Sequence, residues 1–226
     1  MNLKMRDLKD SIIFCDFDGT VTIADSLGVL LEEFANSEWL DIEQVWRNGE
    51  IGSKECLTRQ MDCIKNISSK QFDKFLESIK IDEYFNSFHD FIKNTGVDFY
   101  IVSDGFSLII DKVLEKNNIF GVNIISNELT LENNRLIPSF PHENLECKVK
   151  NGNCKCQAIR NHAENKQIIY IGDGLSDACA VKNADIVFAK DDLAKYCKDK
   201  NIDYILYKDF SQIFSVLSER EEYANC

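Results

Sequence analysis

The stretch IIFCDFDGTVT, residues 12–22, most constrains what this chain can fold into. An apolar run of strand length leads directly into Asp16 and Asp18, separated by one phenylalanine, and then into Gly19 and Thr20. An unbroken apolar run reads as a strand covered on both faces, the habit of a parallel sheet packed between helices. Asp16 and Asp18 therefore stand at the edge of a core. There, like charges repel and lost hydration adds to the cost. A cation or a proton has to compensate them.

Further β-rich runs follow at 99–102, 167–171, Ile186–Ala189 and 204–207. Helical patterns lie between them at 106–117, 175–182, Asp191–Asp199 and 210–217. This alternation predicts an α/β fold, a doubly wound, mostly parallel sheet of Rossmann-like type. It stops between residues 25 and 94. Helical spacing of Leu30, Phe34, Leu57, Met61, Phe72, Phe75, Phe85 and Phe88 takes over there. An α-helical cap is thus expected at 23–94, inserted after the first strand, with 1–22 and 95–226 forming the catalytic core. Trp39 and Trp46 read as packing inside the cap. Residues 128–140 read as a hairpin turning at Asn133 and Asn134.

Composition excludes several classes. A formal charge of −12 over 226 residues argues against nucleic-acid binding, which needs a basic face. No apolar run approaches the ~20 residues of a membrane span. The opening MNLKMRDLKD lacks the apolar core of an export signal, so a cytoplasmic location and no membrane partner are expected. The nine cysteines, an odd number, read as reduced thiols. Cys147, Cys154 and Cys156, with His142 upstream, raise a zinc loop as an alternative, but C-x6-C-x-C departs from the usual C-x2-C knuckle.

In parallel α/β sheets, ligands bind outside the carboxyl ends of the strands. Those ends carry Asp16 and Asp18, then Ser103, Asp104 and Gly105, then Asp173, Ser176 and Asp177; Lys155 opens a helical stretch. Each piece alone is an ordinary turn or surface residue. Their order and shared rim are what point to chemistry. Asp16, Asp18, Asp173 and Asp177 make a carboxylate cluster suited to Mg²⁺, a hard cation that takes oxygen ligands and is often completed by a substrate phosphate. Ser103 and backbone N–H groups at a helix start can hold phosphate oxygens, and Lys155 can offset the charge. Two carboxylates can divide the work, one attacking phosphorus and one moving a proton.

DFDGT at 16–20, Ser103, Lys155 and GDGLSD at 172–177 match in order the motifs of the haloacid dehalogenase-like phosphohydrolase superfamily. The helical insert resembles the cap of its phosphoserine-phosphatase-like branch. Within that branch DFDGTVTIADS, SEW at 37–39, PHENLEC and VFAKDDLAKYC are most similar to the methionine-salvage phosphatases of 2-hydroxy-3-keto-5-methylthiopentenyl 1-phosphate. The resemblance implies an HAD-like core in which Asp16 is the nucleophile and Asp18 the acid and base. It implies Mg²⁺ on Asp16, the Asp18 carbonyl and Asp173, with Asp177 in support. Ser103 and the amide of Asp104 or Gly105 would bind the phosphoryl group of a small phosphorylated metabolite, and Lys155 would orient Asp16. Asp25 stands where phosphoserine phosphatases carry a glutamate that meets the substrate amine. Asp25 is acidic but shorter, a departure from the serine-specific pattern, and phosphoserine, phosphoethanolamine and phosphocholine stand as alternative substrates. Arg47 and Arg59 could meet an anion or lie on the surface, and His142 could face the pocket or hold a loop. A phospho-receiver domain, a dehalogenase and a non-catalytic binding protein are the rival classes. The length and the second acid, Asp18, weigh against the first two.

Overall fold

The structure is a computed structural model that describes residues 8–147 and 149–224. Its strands are β1 (Ser11–Cys15), β2 (Asp98–Phe106), β3 (Asn123–Glu132), β4 (Arg135–Ser139), β5 (Gln167–Gly172), β6 (Ile186–Ala189) and β7 (Ile205–Leu206). They form one sheet in the order β4-β3-β2-β1-β5-β6-β7, parallel except for β4. Successive strands build outward from β1 on one side through β2 and on the other through β5. β1 is therefore the topological switch point, where a crevice opens at the strand ends.

The apolar run of β1 explains its central place. Ile13 and Cys15 enter one core layer and Ile12 and Phe14 the other, all fully buried. Alternation of side chains along a strand feeds both faces, so only a continuous apolar run can occupy this position.

Between β1 and β2 lie α1 (Ser26–Phe34), α2 (Glu38–Arg47), α3 (Ser53–Cys63), α4 (Ser69–Ser78) and α5 (Phe85–Thr95). Thr22, before α1, and Ile81, before α5, pair in an isolated antiparallel bridge that closes off α1–α4. α5 lies on the sheet. Its Phe85 and Phe88 rings stand 4.8 and 4.9 Å from Phe210 of α9 (Phe210–Ala224), and both rings also approach Phe99 of β2. The core is completed by α6 (Ser107–Lys116), α7 (Lys155–His162) and α8 (Asp191–Asp199).

Three details differ from the expected elements. The hairpin is present, with Asn133 and Asn134 at φ 50° and 61°, the left-handed pair of a type I′ turn. Its first strand, however, begins at Asn123 and also pairs in parallel with β2. Residues 175–182 form two 3-10 turns, Leu175–Asp177 and Ala180–Asn183, in place of a helix. The Asp177 carboxylate accepts the N–H groups of Asp173 and Gly174, which holds the loop tighter than an α-turn. The last strand is reduced to Ile205–Leu206.

The Phe85–Phe88–Phe99–Phe210 cluster carries the α5 docking. Phe210→Ala is expected to lower unfolding free energy by about 3–5 kcal/mol. Phe214→Ala, at a 38% exposed position, should cost clearly less. Urea denaturation of the two variants tests the order.

Candidate active site

β1 delivers its acids by continuing the ladder one step past the strand. Asp16 N–H donates to the Ile171 carbonyl at 2.9 Å, and Phe17 N–H donates to Asp16 Oδ1 at 2.8 Å. The chain then turns through Gly19 at φ +73°, where a Cβ would collide with the Asp173 carboxylate. Glycine is thus required on two counts, backbone conformation and close approach. Thr20 Oγ1 donates to Asp173 Oδ1 at 2.7 Å, tying the end of β1 to the end of β5.

Beneath this, Lys155 is 1% exposed at the first position of α7. Its Nζ lies 2.8 Å from Asp16 Oδ1 and 2.5 Å from Asp177 Oδ1. Burial disfavours its charge, but the two carboxylates outweigh that and hold its pKa above the ordinary lysine value. Tyr170 O–H also donates to Asp177 Oδ1, at 2.6 Å. With the amides of Asp173 and Gly174 on Oδ2, both oxygens of Asp177 are engaged.

Asp16, Asp173 and Asp177 each place a carboxylate oxygen within 4.8 Å of the others. Burial, then repulsion from Asp177, pushes Asp16 well above the usual carboxylate range despite Lys155. The same causes raise Asp173 to about 6 against the Thr20 hydrogen bond. One ammonium does not neutralise this set. An all-oxygen donor group with uncompensated negative charge fits a hard divalent cation.

Asp18 has a different environment. Ser26 donates both its N–H, at 2.9 Å, and its hydroxyl to Asp18 Oδ1. Burial and the neighbouring Asp25 nevertheless lift it to about 7, so it holds its proton near neutrality. Facing it is the turn at Ser103, Asp104 and Gly105. A Cβ on Gly105 would stand 2.5 Å from Asp18 Oδ2 and 3.1 Å from Ser103 Oγ, so glycine lets these two segments meet. Gly105 N–H donates to Ser103 Oγ at 2.9 Å. The Asp104 carboxylate turns away to Asn127 and to the N–H of Asn153.

Asp16, Asp18, Asp25, Ser103, Asp104, Gly105 and Asp173 all line one cavity of about 270 Å³. Lys155 and Asp177 support its floor from below without lining it. The insert contributes Leu27, Glu43, Trp46, Arg47, Cys56, Leu57 and Gln60 to the walls. Trp46, expected as packing alone, is therefore a wall residue. Arg47 is at the rim, paired with Glu43 at 2.8 Å, and Glu43 in turn accepts from Gln60 at 3.1 Å. Asp25 caps α1 by accepting from Leu27 N–H at 3.0 Å. Arg59 sits outside the cavity beside Glu55. His142 is exposed on its loop, also outside the cavity.

The cysteine loop does not gather into a metal centre. The Cys154 thiol instead accepts a long hydrogen bond from Asn144 Nδ2 at 3.8 Å. Among the described residues the carboxylate triad is the one such cluster. The supporting roles of Thr20, Ser26 and Tyr170 escaped the sequence reading. Thr20 and Ser26 stand inside the DFDGTVTIADS string, which was the available signal.

Residues 11–212 match the family model described as Putative Phosphatase. A 2-hydroxy-3-keto-5-methylthiopentenyl-1-phosphate phosphatase of Bacillus velezensis is 30% identical over 178 residues, 76% of this chain and 74% of the relative. A protein of the same name from Bacillus pumilus is 31% identical over 180 residues, 78% of each. A substrate-bound phosphoserine phosphatase superposes with a TM-score of 0.71 at 18% identity, covering 95% of this chain and 100% of that one. A phospho-aspartyl intermediate analogue of phosphoserine phosphatase gives 0.71 at 18%, covering 92% and 99%. The shared fold is the HAD-like one.

The raised Asp18 pKa gives a signed pH effect. The native state holds a proton on Asp18 between pH ~4 and ~7 that the unfolded chain has released, so this group's stabilisation fades as pH rises through that window. Asp18→Asn mimics the neutral form and keeps an acceptor for Ser26. Its melting temperature relative to the unsubstituted protein should therefore rise from pH 5 to pH 8. Thermal unfolding without divalent cations at both pH values checks this.

Proposed function

The chain belongs to the putative phosphatase family and is a phosphatase, and on that premise we propose that it hydrolyses a small phosphomonoester through an aspartyl-phosphate on Asp16. The observation that carries this reading is the convergence of Asp16, Asp18, Ser103, Gly105 and Asp173 on one cavity, above a buried Lys155. The insert is proposed to serve as the cap, with α1, α2 and α3 forming the substrate wall.

Lys155 and Phe17 N–H hold Asp16 Oδ1, leaving Oδ2 to attack phosphorus as the ester P–O bond breaks. Asp18, protonated near neutrality, gives its proton to the leaving oxygen. The resulting carboxylate then takes a proton from the water that attacks the aspartyl-phosphate. Inorganic phosphate leaves and Asp16 is regenerated. The Ser103 hydroxyl and the Asp104 or Gly105 amide are assigned to the phosphoryl oxygens, since phosphoryl transfer asks mainly for positioning and charge stabilisation. Asp16, Asp173 and the Asp18 carbonyl would hold Mg²⁺, which when bound neutralises charge on the carboxylates and phosphate. Asp177, with its oxygens taken by Lys155, Tyr170 and two amides, supports this set from behind.

The relatives' names and the apolar wall of Leu27, Trp46 and Leu57 favour 2-hydroxy-3-keto-5-methylthiopentenyl 1-phosphate, whose methylthio end is apolar. Asp25 and Glu43, also on the wall, favour an amine-bearing second candidate: phosphoserine, phosphoethanolamine or phosphocholine. Free thiols throughout the described chain suit a cytoplasmic setting.

Phosphate release with Mg²⁺ across these esters should give its highest kcat/KM on the enol-phosphate. Asp16→Asn should lower kcat by about 10³-fold or more. Activity should vanish in excess EDTA and return with Mg²⁺. Release from none of the esters, or near-normal turnover by Asp16→Asn, would overturn the assignment.

A further inference from the structure

β2 and β3 lose register at the proposed phosphate turn. Val102 pairs with Ile125 and Phe106 with Asn127, so Ser103, Asp104 and Gly105 stand opposite Ser126 alone. Such a bulge leaves backbone carbonyls without ladder partners, and buried carbonyls need them. Asn153, 1% exposed, supplies the missing rung. Its Nδ2 donates to the Ser103 carbonyl and to the Ile125 carbonyl, each at 2.8 Å, so one side-chain amide straps the two strands together across the gap. Its backbone N–H donates to Asp104 Oδ1 at 2.9 Å. Asn127, fully buried, adds a bond from its own amide to the Asp104 carbonyl at 2.6 Å.

Asn153 is itself held on both sides. Two residues later comes Lys155, locked between Asp16 and Asp177. One residue earlier, Gly152 N–H donates to Ser53 Oγ of α3, in the insert, at 2.9 Å. Gly152 also abuts the Phe140 ring, where a Cβ would come within 2.6 Å. Residues 152–155 thus fasten the insert, the 103–105 turn and the floor of the cavity to one another.

We propose that Asn153 is a positioning residue that fixes the Ser103–Gly105 bulge in the register that binds a phosphoryl group. It touches neither substrate nor reacting atoms. It acts by holding the Ser103 carbonyl and the Asp104 side chain, which sets the direction of the Ser103 hydroxyl and of the bulge's N–H groups. The ligand's identity rests on the phosphatase reading; the strap itself does not.

Asn153→Leu keeps the branched shape, though it is bulkier, and removes both side-chain hydrogen bonds while leaving the backbone N–H bond to Asp104. Asn153→Ser retains one hydroxyl donor and serves as the milder variant. Calorimetric titration with inorganic phosphate in the presence of Mg²⁺ reads affinity, and its stoichiometry counts the folded protein separately. Asn153→Leu should weaken phosphate about tenfold and raise KM for p-nitrophenyl phosphate by a similar factor, with Asn153→Ser in between. The Mg²⁺ concentration for half-saturation should stay within about twofold, because the carboxylates follow the ends of β1 and β5 rather than lying on the bulge. A loss of stability alone would lower the stoichiometry and leave both constants unchanged. Unchanged phosphate affinity in both variants overturns the proposal. Wild-type protein that binds phosphate but turns over no ester, with binding still lost in Asn153→Leu, would overturn the hydrolase reading and sustain this one. Wild-type protein that binds no phosphate would overturn both.

Discussion

Lys155 buries its ammonium between Asp16 and Asp177, and the spacing of β1 against the loop after β5 follows from that contact. A buried ion pair contributes little net stability against an apolar substitute, but removing one partner strands the other charge at a cost of roughly 3–5 kcal/mol. Such a contact specifies an arrangement more than it stabilises one. Here it draws Asp16 to the floor of the cavity and leaves Asp173 and Asp18 facing inward. Tyr170 and the Asp173 and Gly174 amides then saturate Asp177, which turns the loop into a tight 3-10 turn. The site's shape and its excess negative charge thus have one origin.

The α/β class and the central place of β1 were legible because an apolar run ending in D-F-D-G-T leaves few alternatives. Its alternate side chains fill both core layers, as the unbroken pattern requires. The hairpin turn was legible for a similar reason, since adjacent asparagines tolerate left-handed backbone at both positions. Residues 175–182 misled because their periodicity is helical. What decides the conformation there is the carboxylate of Asp177 capturing local amides, a competition that periodicity does not register.

The asparagines were hidden for a different reason. Asn127 and Asn153 lie 23 and 49 residues from Asp104, and nothing in their local context announces a buried amide. Their partners exist only because β2 bulges against β3, a register feature set by the assembled sheet. Lys155, a surface residue when read alone, was legible through its place in the order of motifs, where a cation has an evident use among carboxylates. A neutral amide bonding to backbone carbonyls has none until the fold creates those carbonyls' need. Trp46 belongs with these cases: it packs near Ile42 and Cys56 and also lines the cavity, and helical spacing identifies only the first role.

The walls carry the floor's charge problem outward. Asp25, Glu43, Asp191 and Asp192 surround the opening, and among the described lining residues Arg47 is the one cation, already paired with Glu43. With a net charge of −12 on the chain, the overall field opposes an approaching phosphate dianion. On the proposed reading attraction would have to be local, from a cation held by Asp16 and Asp173 and from Ser103 and the bulge amides. A substrate with a second anionic group would meet Asp25 and Glu43 without a free counter-charge. A tail that is apolar or cationic meets Leu27, Trp46 and Leu57 or those same acids on favourable terms. On the proposed reading the insert would filter what is attached to the phosphate, while the sheet rim would recognise the phosphate itself.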